Sequence, residues 1–459
     1  MFAREIYIQR RERLRTQVQS GLILLLGNDE SPMNYAANTY PFRQDSTFLY
    51  FFGLDQPGLA AVIDIEEGME CVFGDDPTVE DIVWTGPVPL LRDRCDLVGV
   101  TQTAPSGKLK QVLEKVVRQN RTIHFPPQYR AENVLRINGL WGPAAPPAPS
   151  ASLIKAIVEQ RSVKSPEEIE QIEVALGITR KMHLLAMHEA RPGRVEREVA
   201  GMIEDFALSS GVRLAFPAIL SVRGETMHNP HYDNVLKAGD IVVNDSGAES
   251  PLHYAGDITR TIPVGGRFSP RQREIYFIVL HAQEKALGLA RPGVEWREVH
   301  RLTAVALMEG LKGLGLIKGD PQEAVAAGAH TMFFPCGVGH MMGLDVHDME
   351  PLGEDYVGYT DTIRRNPEFG WRYLRLAKAI EPGFVITVEP GIYFIPQLID
   401  QWRAEGRCGQ FINYDKVESY RDFHGVRIED NIVVTADGCR VLGKPIPKTI
   451  AEVESLASA

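Results

Sequence analysis

Four acidic residues stand where the surrounding sequence reads as strand, which is a costly place for a charge. Ile241-Val-Val-Asn-Asp245 ends an apolar run in a carboxylate, and after a glycine-containing turn His253-Tyr-Ala-Gly-Asp257-Ile-Thr-Arg-Thr-Ile262 begins a returning run with another, so the two acids can meet across a hairpin. Phe384-Val-Ile-Thr-Val-Glu389 and Gly425-Val-Arg-Ile-Glu429-Asp-Asn-Ile-Val-Val-Thr435 each place a glutamate in or at the end of such a run. Strand positions rich in valine and isoleucine face a core, where an unpaired carboxylate is strongly disfavoured. Imidazole completes the inventory: Phe333-Phe-Pro-Cys-Gly-Val-Gly-His340-Met-Met-Gly-Leu-Asp-Val-His347-Asp348 carries two histidines seven apart. Several carboxylates with one imidazole form an oxygen-rich ligand set suited to Mn²⁺, Fe²⁺, Co²⁺ or Zn²⁺, with enough charge for two ions that share ligands. Without metal the acids would repel one another and their pKa values would rise, so binding cations is the physical reason to gather them.

Each of these residues also has a plainer reading. A strand-end aspartate commonly serves as a turn or cap residue. A buried glutamate is usually ion-paired, and Arg260 or Arg427 is available for that role. A single histidine among hydrophobes is commonly structural. Gly337-Val-Gly-His-Met-Met-Gly343 departs from the dinucleotide-binding fingerprint in both spacing and context. The residue types alone leave these alternatives open.

The elements that must position such a site can be read along the chain. A charged helical opening leads into Gly21-Leu-Ile-Leu-Leu-Leu-Gly27, a buried strand, and Thr47 to Gly53, Ala60 to Ile65 and Glu70 to Gly74 read as further strands, with a helix over Lys108 to Arg118. This alternation gives an α/β first domain. Gly142-Pro-Ala-Ala-Pro-Pro-Ala-Pro-Ser-Ala-Ser152 reads as a loop or linker, because its prolines lack N–H donors. Ser165-Pro-Glu-Glu168 is a helix start, with a serine cap, proline in the first turn and acids at the positive end of the dipole. The expected division is 1–160 and 161–459. In the second part, helices are predicted up to Gly193 and over Arg194 to Ser210, Pro270 to Leu289 and Trp296 to Gly313. Strands are predicted at Asp240 to Asn244, Asp257 to Val264, Phe384 to Val388 and Arg427 to Thr435.

Composition narrows the function classes. A chain of 459 residues exceeds the ~150 residues typical of one domain, and with 44% hydrophobic and 24% charged residues it has globular composition. Forty-nine basic against 60 acidic residues give a net charge of −11, which argues against nucleic acid as a general partner. The five cysteines, Cys71, Cys95, Cys336, Cys408 and Cys439, are scattered with no CxxC pair, so reduced thiols are expected rather than disulfides or a thiolate zinc site. Met1 to Gln17 has no apolar signal-peptide core, and no run approaches the roughly 18 apolar residues of a membrane span. A cytoplasmic protein without membrane or nucleic-acid partners is expected.

On the motifs between about residues 220 and 435, the second part resembles the pita-bread metallopeptidases, and among them the Xaa-Pro aminopeptidases (aminopeptidase P) and Xaa-Pro dipeptidases (prolidases). Tyr40-Pro-Phe-Arg-Gln-Asp-Ser-Thr-Phe-Leu-Tyr-Phe-Phe-Gly53 is similar to the creatinase-like N-terminal domain of aminopeptidase P. The resemblance implies an α+β protein, with a pita-bread catalytic domain behind a smaller α/β domain. It implies two divalent metals, Mn before Co, Zn or Fe, held by Asp245, Asp257, His340, Glu389 and Glu429. Asp257 and Glu429 would bridge the ions, Asp245 would chelate one, and His340 and Glu389 would hold the other.

The chemistry implied is attack by a metal-activated hydroxide on the bond before proline, with Glu389 as proton acceptor. His228 and His347 would steady the substrate carbonyl and oxyanion, His228 being preferred to His231 by its separation from Asp245. Arg427 would orient the ligand shell beside Glu429, and Arg375 would capture a dipeptide carboxylate. Asp245 and Asp257 lie twelve apart, one more than in several relatives, which calls for a longer hairpin or a bulge. Cys336 stands where relatives often carry histidine. The aminopeptidase reading is preferred, with prolidase and a catalytically silent binding module on the same fold as alternatives. Substrates would be peptides with proline second, and a homo-oligomer, dimer or tetramer, is expected.

Overall fold

The computed structural model describes residues 1–141 and 145–458, so Gly142, Pro143 and Ala144 of the proline-rich stretch lie outside the described residues. The remainder of that stretch up to Ser150 has no regular structure, and the helix Ala151–Ser162 follows. The chain packs as two units, Met1–Arg161 with Met349–Tyr356, and Ser162–Asp348 with the chain from Val357 onward. Among the described residues no helix is long and apolar enough to cross a membrane, and all five cysteines are free.

The first unit is built on a mixed five-stranded sheet, in the order Gln102–Ala104, Met69–Phe73, Ala60–Asp64, Leu22–Leu26 and Ile123–His124. Leu22, Leu24 and Leu26 are buried with Val62, Phe73 and Leu113, which is why the run between the two glycines carries no polar residue. One expectation is corrected. Thr47 to Gly53 is not a strand but part of the helix Ser46–Phe52. The Asp45 side chain accepts from the Phe48 amide at its start, and Gly53 adopts φ +62° at its end. These two caps outweigh the β propensity of its aromatic residues.

In the second unit, Ser165 caps the helix Pro166–Glu189, with a reciprocal bond between Glu168 and the Ser165 amide. Glu196–Ser209, Pro270–Leu289 and Trp296–Gly313 are also helices. Ile241–Ser246 pairs antiparallel with Ile258–Pro263, and Ile219–Ser221 flanks the former. The region read as one strand over Arg427 to Thr435 is two: Gly425–Arg427 pairs with Gly391–Tyr393, and Asp430–Val434 pairs with Val385–Val388. Both pairings keep one register, interrupted only at Glu389-Pro390 and Ile428-Glu429. Pro390 has no N–H to donate and so cannot continue a ladder.

Three buried histidines should make this unit acid-sensitive. Burial lowers His183 to about 3, His300 to about 4 and His330 to about 3. Because the unfolded chain takes up these protons at about pH 6.5, folded stability is complete above that pH and is lost as pH falls toward 4, at roughly 1.4 kcal/mol per pH unit per group. Urea midpoints measured between pH 7 and pH 5 should fall steeply. A His300→Leu variant should show a shallower fall, and an equally steep one would contradict the assignment.

Candidate active site

The hairpin sets the first pair of carboxylates. Asp245 stands opposite Thr259, and the pairing runs without a register shift from there to Glu249 opposite Ala255, closing on a Ser250–Tyr254 turn in which His253 adopts φ +66°. The twelve-residue separation is therefore accommodated by a longer hairpin and not by a bulge. Asp257 is two residues from Thr259, so the period of two puts it on the same face as Asp245. Beneath the hairpin, the His183 ring bonds the Ser246 carbonyl at 3.1 Å and the Asn244 amide at 3.1 Å, bracketing Asp245.

The second pair comes from the interrupted ladder. Val388 is opposite Asp430, so Glu389 and Glu429 face each other just past the last pair, at the break Pro390 creates. His340 is delivered to the same place by a bridge between Met341 and Ile386, with the Thr387 amide donating to the His340 carbonyl at 3.0 Å. Its Nδ1 lies 3.0 Å from the Met341 carbonyl, so Nε2 is the nitrogen left for the site.

These elements converge. Asp257, His340 and Glu429 each offer a ligand atom, all within 4.8 Å of one another, and all three side chains are buried. His340 Nε2 is 3.5 Å from Asp257 Oδ2 and 3.5 Å from Glu389 Oε1. Asp245 Oδ1 and Glu429 Oε1 are buried with no hydrogen-bond partner among the described residues. Burial, reinforced by the Asp245 charge, holds the Asp257 carboxyl well above its usual range. Glu429 is likewise raised, by burial first and then by Asp257, Glu389 and Asp245. Glu389 is pushed up to about 7 by burial, with His340 and Arg427 opposing. Burial also lowers His340, against the pull of Glu389. Neutral imidazole nitrogen beside crowded, partnerless carboxylate oxygens is the donor set that hard or borderline divalent cations require, so the residues present fit a metal centre.

The remaining predicted residues surround this cluster. The His347 ring stands edge-on to His340 with centroids 4.4 Å apart, and its loop is anchored by the buried ion pair of Asp348 with Lys164 at 2.8 Å. His228 has an exposed face, yet the part turned inward is desolvated enough to lower its pKa, opposed by Asp245 and assisted by Arg427, His347 and Arg375. Arg375 therefore acts on the same space, as its influence on His340 also shows. His231 is exposed.

Neither Arg427 nor Arg260 makes the plain ion pair with a ligand-set glutamate that was one of the alternatives open from the sequence. Arg427 does not pair with Glu429; it donates to Asp245 Oδ2 at 2.6 Å, Tyr393 OH at 2.9 Å and Thr259 Oγ1 at 3.1 Å. Arg260 pairs with Asp430 at 2.7 Å instead of either ligand-set glutamate. Sequence reasoning also missed Thr259, which donates to Glu429 at 2.6 Å, Thr387, which donates to Glu389 at 3.3 Å, and Asn431, which bonds the Asp257 backbone at 3.0 and 2.6 Å. Each lies two residues from a candidate ligand on a strand, a same-face spacing that could have exposed them. Cys336 is near Tyr393, Glu389 and Arg427, and burial pushes its thiol up to about 12, so it is protonated.

Comparison with known proteins places this geometry. Residues 170–436 match the model of metallopeptidase family M24, and residues 7–124 match the aminopeptidase P N-terminal domain. The chain is 31% identical to the Xaa-Pro dipeptidase of Homo sapiens over 97% of this chain and 90% of that protein. It is 30% identical to the Xaa-Pro aminopeptidase of Haemophilus influenzae over 99% and 97%. Aminopeptidase P from E. coli with the inhibitor Pro-Leu superposes with a TM-score of 0.80 at 30% identity, covering 99% of this chain and 98% of that one. Pseudomonas aeruginosa aminopeptidase PepP gives 0.81 at 28% identity, covering 100% and 98%. The carboxylate hairpin and interrupted ladder thus lie in a C-terminal pita-bread domain that follows an aminopeptidase P N-terminal domain, and the chain belongs to metallopeptidase family M24.

Proposed function

We propose that this protein is a two-metal Xaa-Pro aminopeptidase that removes the first residue of peptides with proline second. The observation that carries this reading is the convergence of Asp257, His340 and Glu429 ligand atoms within 4.8 Å. Glu389 stands 3.5 Å from the same imidazole, and Asp245 faces Asp257. Asp245 and Asp257 would hold one ion, His340 and Glu389 the other, with Asp257 and Glu429 shared; Mn²⁺ is the favoured metal. We assign 1–160 to the N-terminal domain and 161–459 to the catalytic one.

Divalent cations held by these residues would lower the pKa of water toward neutrality and polarise the scissile carbonyl. The chain's own residues do the rest. Glu389, 3.5 Å from the His340 imidazole, would accept the nucleophile's proton and release it to the departing proline nitrogen. His347 and His228, on the rim of the cluster, donate to the carbonyl oxygen as negative charge develops on it. Arg427 holds Asp245 in its ligating orientation through the 2.6 Å bond. An imide bond to proline has no N–H, so recognition falls to the carbonyl and to the free amine of the first residue.

A second reading, Xaa-Pro dipeptidase, is favoured by Arg375. Its charge acts on both His228 and His340, where it can meet the carboxylate of a dipeptide. The test is hydrolysis of Gly-Pro against Arg-Pro-Pro peptides by the Mn²⁺-loaded protein. Preference for the longer peptide supports the first reading and preference for Gly-Pro the second. Cleavage of neither would overturn both and leave a silent module. Under the second reading Arg375→Ala should raise KM for Gly-Pro by roughly 10- to 100-fold, the worth of one hydrogen bond to a charged group. Its kcat should stay nearly constant.

A further inference from the structure

A histidine–carboxylate contact outside the ligand set ties the segment that carries His228 to the strand that carries Arg427. His424 Nδ1 lies 3.0 Å from Glu225 Oε2. Glu225 is three residues before His228, its side chain is only 4% exposed, and its other oxygen accepts from Arg223 Nε at 2.8 Å. His424 immediately precedes the strand Gly425–Arg427 and adopts φ +72°, a left-handed conformation uncommon for a residue with a Cβ.

The backbones beneath the pair are in contact. A Cβ on Gly224 would sit 2.9 Å from the Gly425 carbonyl oxygen, and one on Gly425 would sit 2.6 Å from the Gly224 carbonyl oxygen. On the far side of His228, the Asn229 amide donates to Ser221 Oγ at 2.9 Å and accepts from the His231 amide at 3.0 Å. His228 is therefore held between two anchors, one of which depends on a histidine in a left-handed backbone state.

We propose that Glu225 and His424 are positioning residues: their side-chain contact fixes the His228 segment against the Arg427 strand and so sets the His228 imidazole against the substrate carbonyl. The proposal rests on the assignment of His228 to the carbonyl oxyanion. The structure makes an unusual variant informative, because glycine adopts φ +72° without strain. His424→Gly removes the contact with Glu225 while easing the backbone, so a merely structural His424 predicts an unchanged or higher melting temperature and unchanged activity.

The expected result for His424→Gly is a melting temperature no lower than the parent's with kcat reduced about tenfold and KM little changed, since a group acting on the developing charge is lost from the transition state. His424→Gln, which restores a donor toward Glu225, should recover part of that loss. In a His228→Ala background the effect of His424→Gly should shrink below about twofold, because coupled residues are non-additive. Parental kcat in His424→Gly overturns the proposal, as does an undiminished loss in the His228→Ala background. Parental kcat in His228→Ala itself overturns the oxyanion assignment, which separates the two failures.

Discussion

Asp257→Asn should lower peptide hydrolysis by about 1,000-fold or more, because several kcal/mol of charge stabilisation disappear with the ligand and each 1.36 kcal/mol is a factor of ten. The backbone at this position is held independently of the carboxylate. The Asp257 amide donates to Asn431 Oδ1 at 3.0 Å, and Asn431 Nδ2 donates back to the Asp257 carbonyl at 2.6 Å. The fold should therefore survive. In the metal-free state the variant should even gain stability, since burial and Asp245 hold the native carboxyl far above its usual range and an amide carries no such penalty. Elemental analysis should find metal lost together with activity. Added Mn²⁺ should raise the melting temperature of the parent by mass action and leave the variant nearly unmoved. In the parent, chelation should abolish cleavage, and Mn²⁺ or Co²⁺ should restore it. A variant retaining both metal and turnover, or a fully active metal-stripped parent, would sink the dinuclear reading.

The ligand-bearing elements were legible because apolar runs ending in acid are rare and costly. Ile241–Ser246, Ile258–Pro263 and Val385–Val388 stand close to where the runs of valine and isoleucine put them. The break at Ile428-Glu429 was not legible in its own segment, because its cause is Pro390 on the partner strand, nearly forty residues away in sequence. Long-range pairing hid the arginine partners in the same way. Arg427 lies two residues from Glu429, yet its reach takes it to Asp245 on another sheet. The helix Ser46–Phe52 reads as strand for a local reason, since Asp45 and Gly53 are cap signals that lie just outside an aromatic run. Thr259, Thr387 and Asn431 carry no charge to mark them, yet the hydroxyls and amide that hold the acids repeat at the strand period beside them.

Arg260→Met should cost about 3–5 kcal/mol of stability, the range for breaking one side of a buried charge pair. Arg260 is fully buried and joins three segments. Its guanidinium donates to the backbone oxygens of Glu429 at 2.6 Å, Ile446 at 3.0 Å and Pro447 at 2.9 Å, and to Asp430 Oδ1 at 2.7 Å. Burial would lift the Asp430 carboxyl, but Arg260 and Lys448 more than reverse it and bring it to about 2. A folded pKa below the unfolded value means that this contribution is present above about pH 4 and lost as pH falls through 2. In Arg260→Met, Asp430 keeps Lys448 at 2.7 Å and Gln283 at 2.8 Å, so the carboxylate is under-compensated, not abandoned. Adding Asp430→Asn should therefore recover part of the loss, and urea midpoints of the single and double variants measure both effects. The Glu429 carbonyl would also lose its strongest tie, which couples this stability defect to the site: metal affinity should fall with the midpoint in the single variant. An unchanged midpoint would show that the buried arginine is dispensable, and that the interrupted ladder holds Glu429 in place by its own pairing.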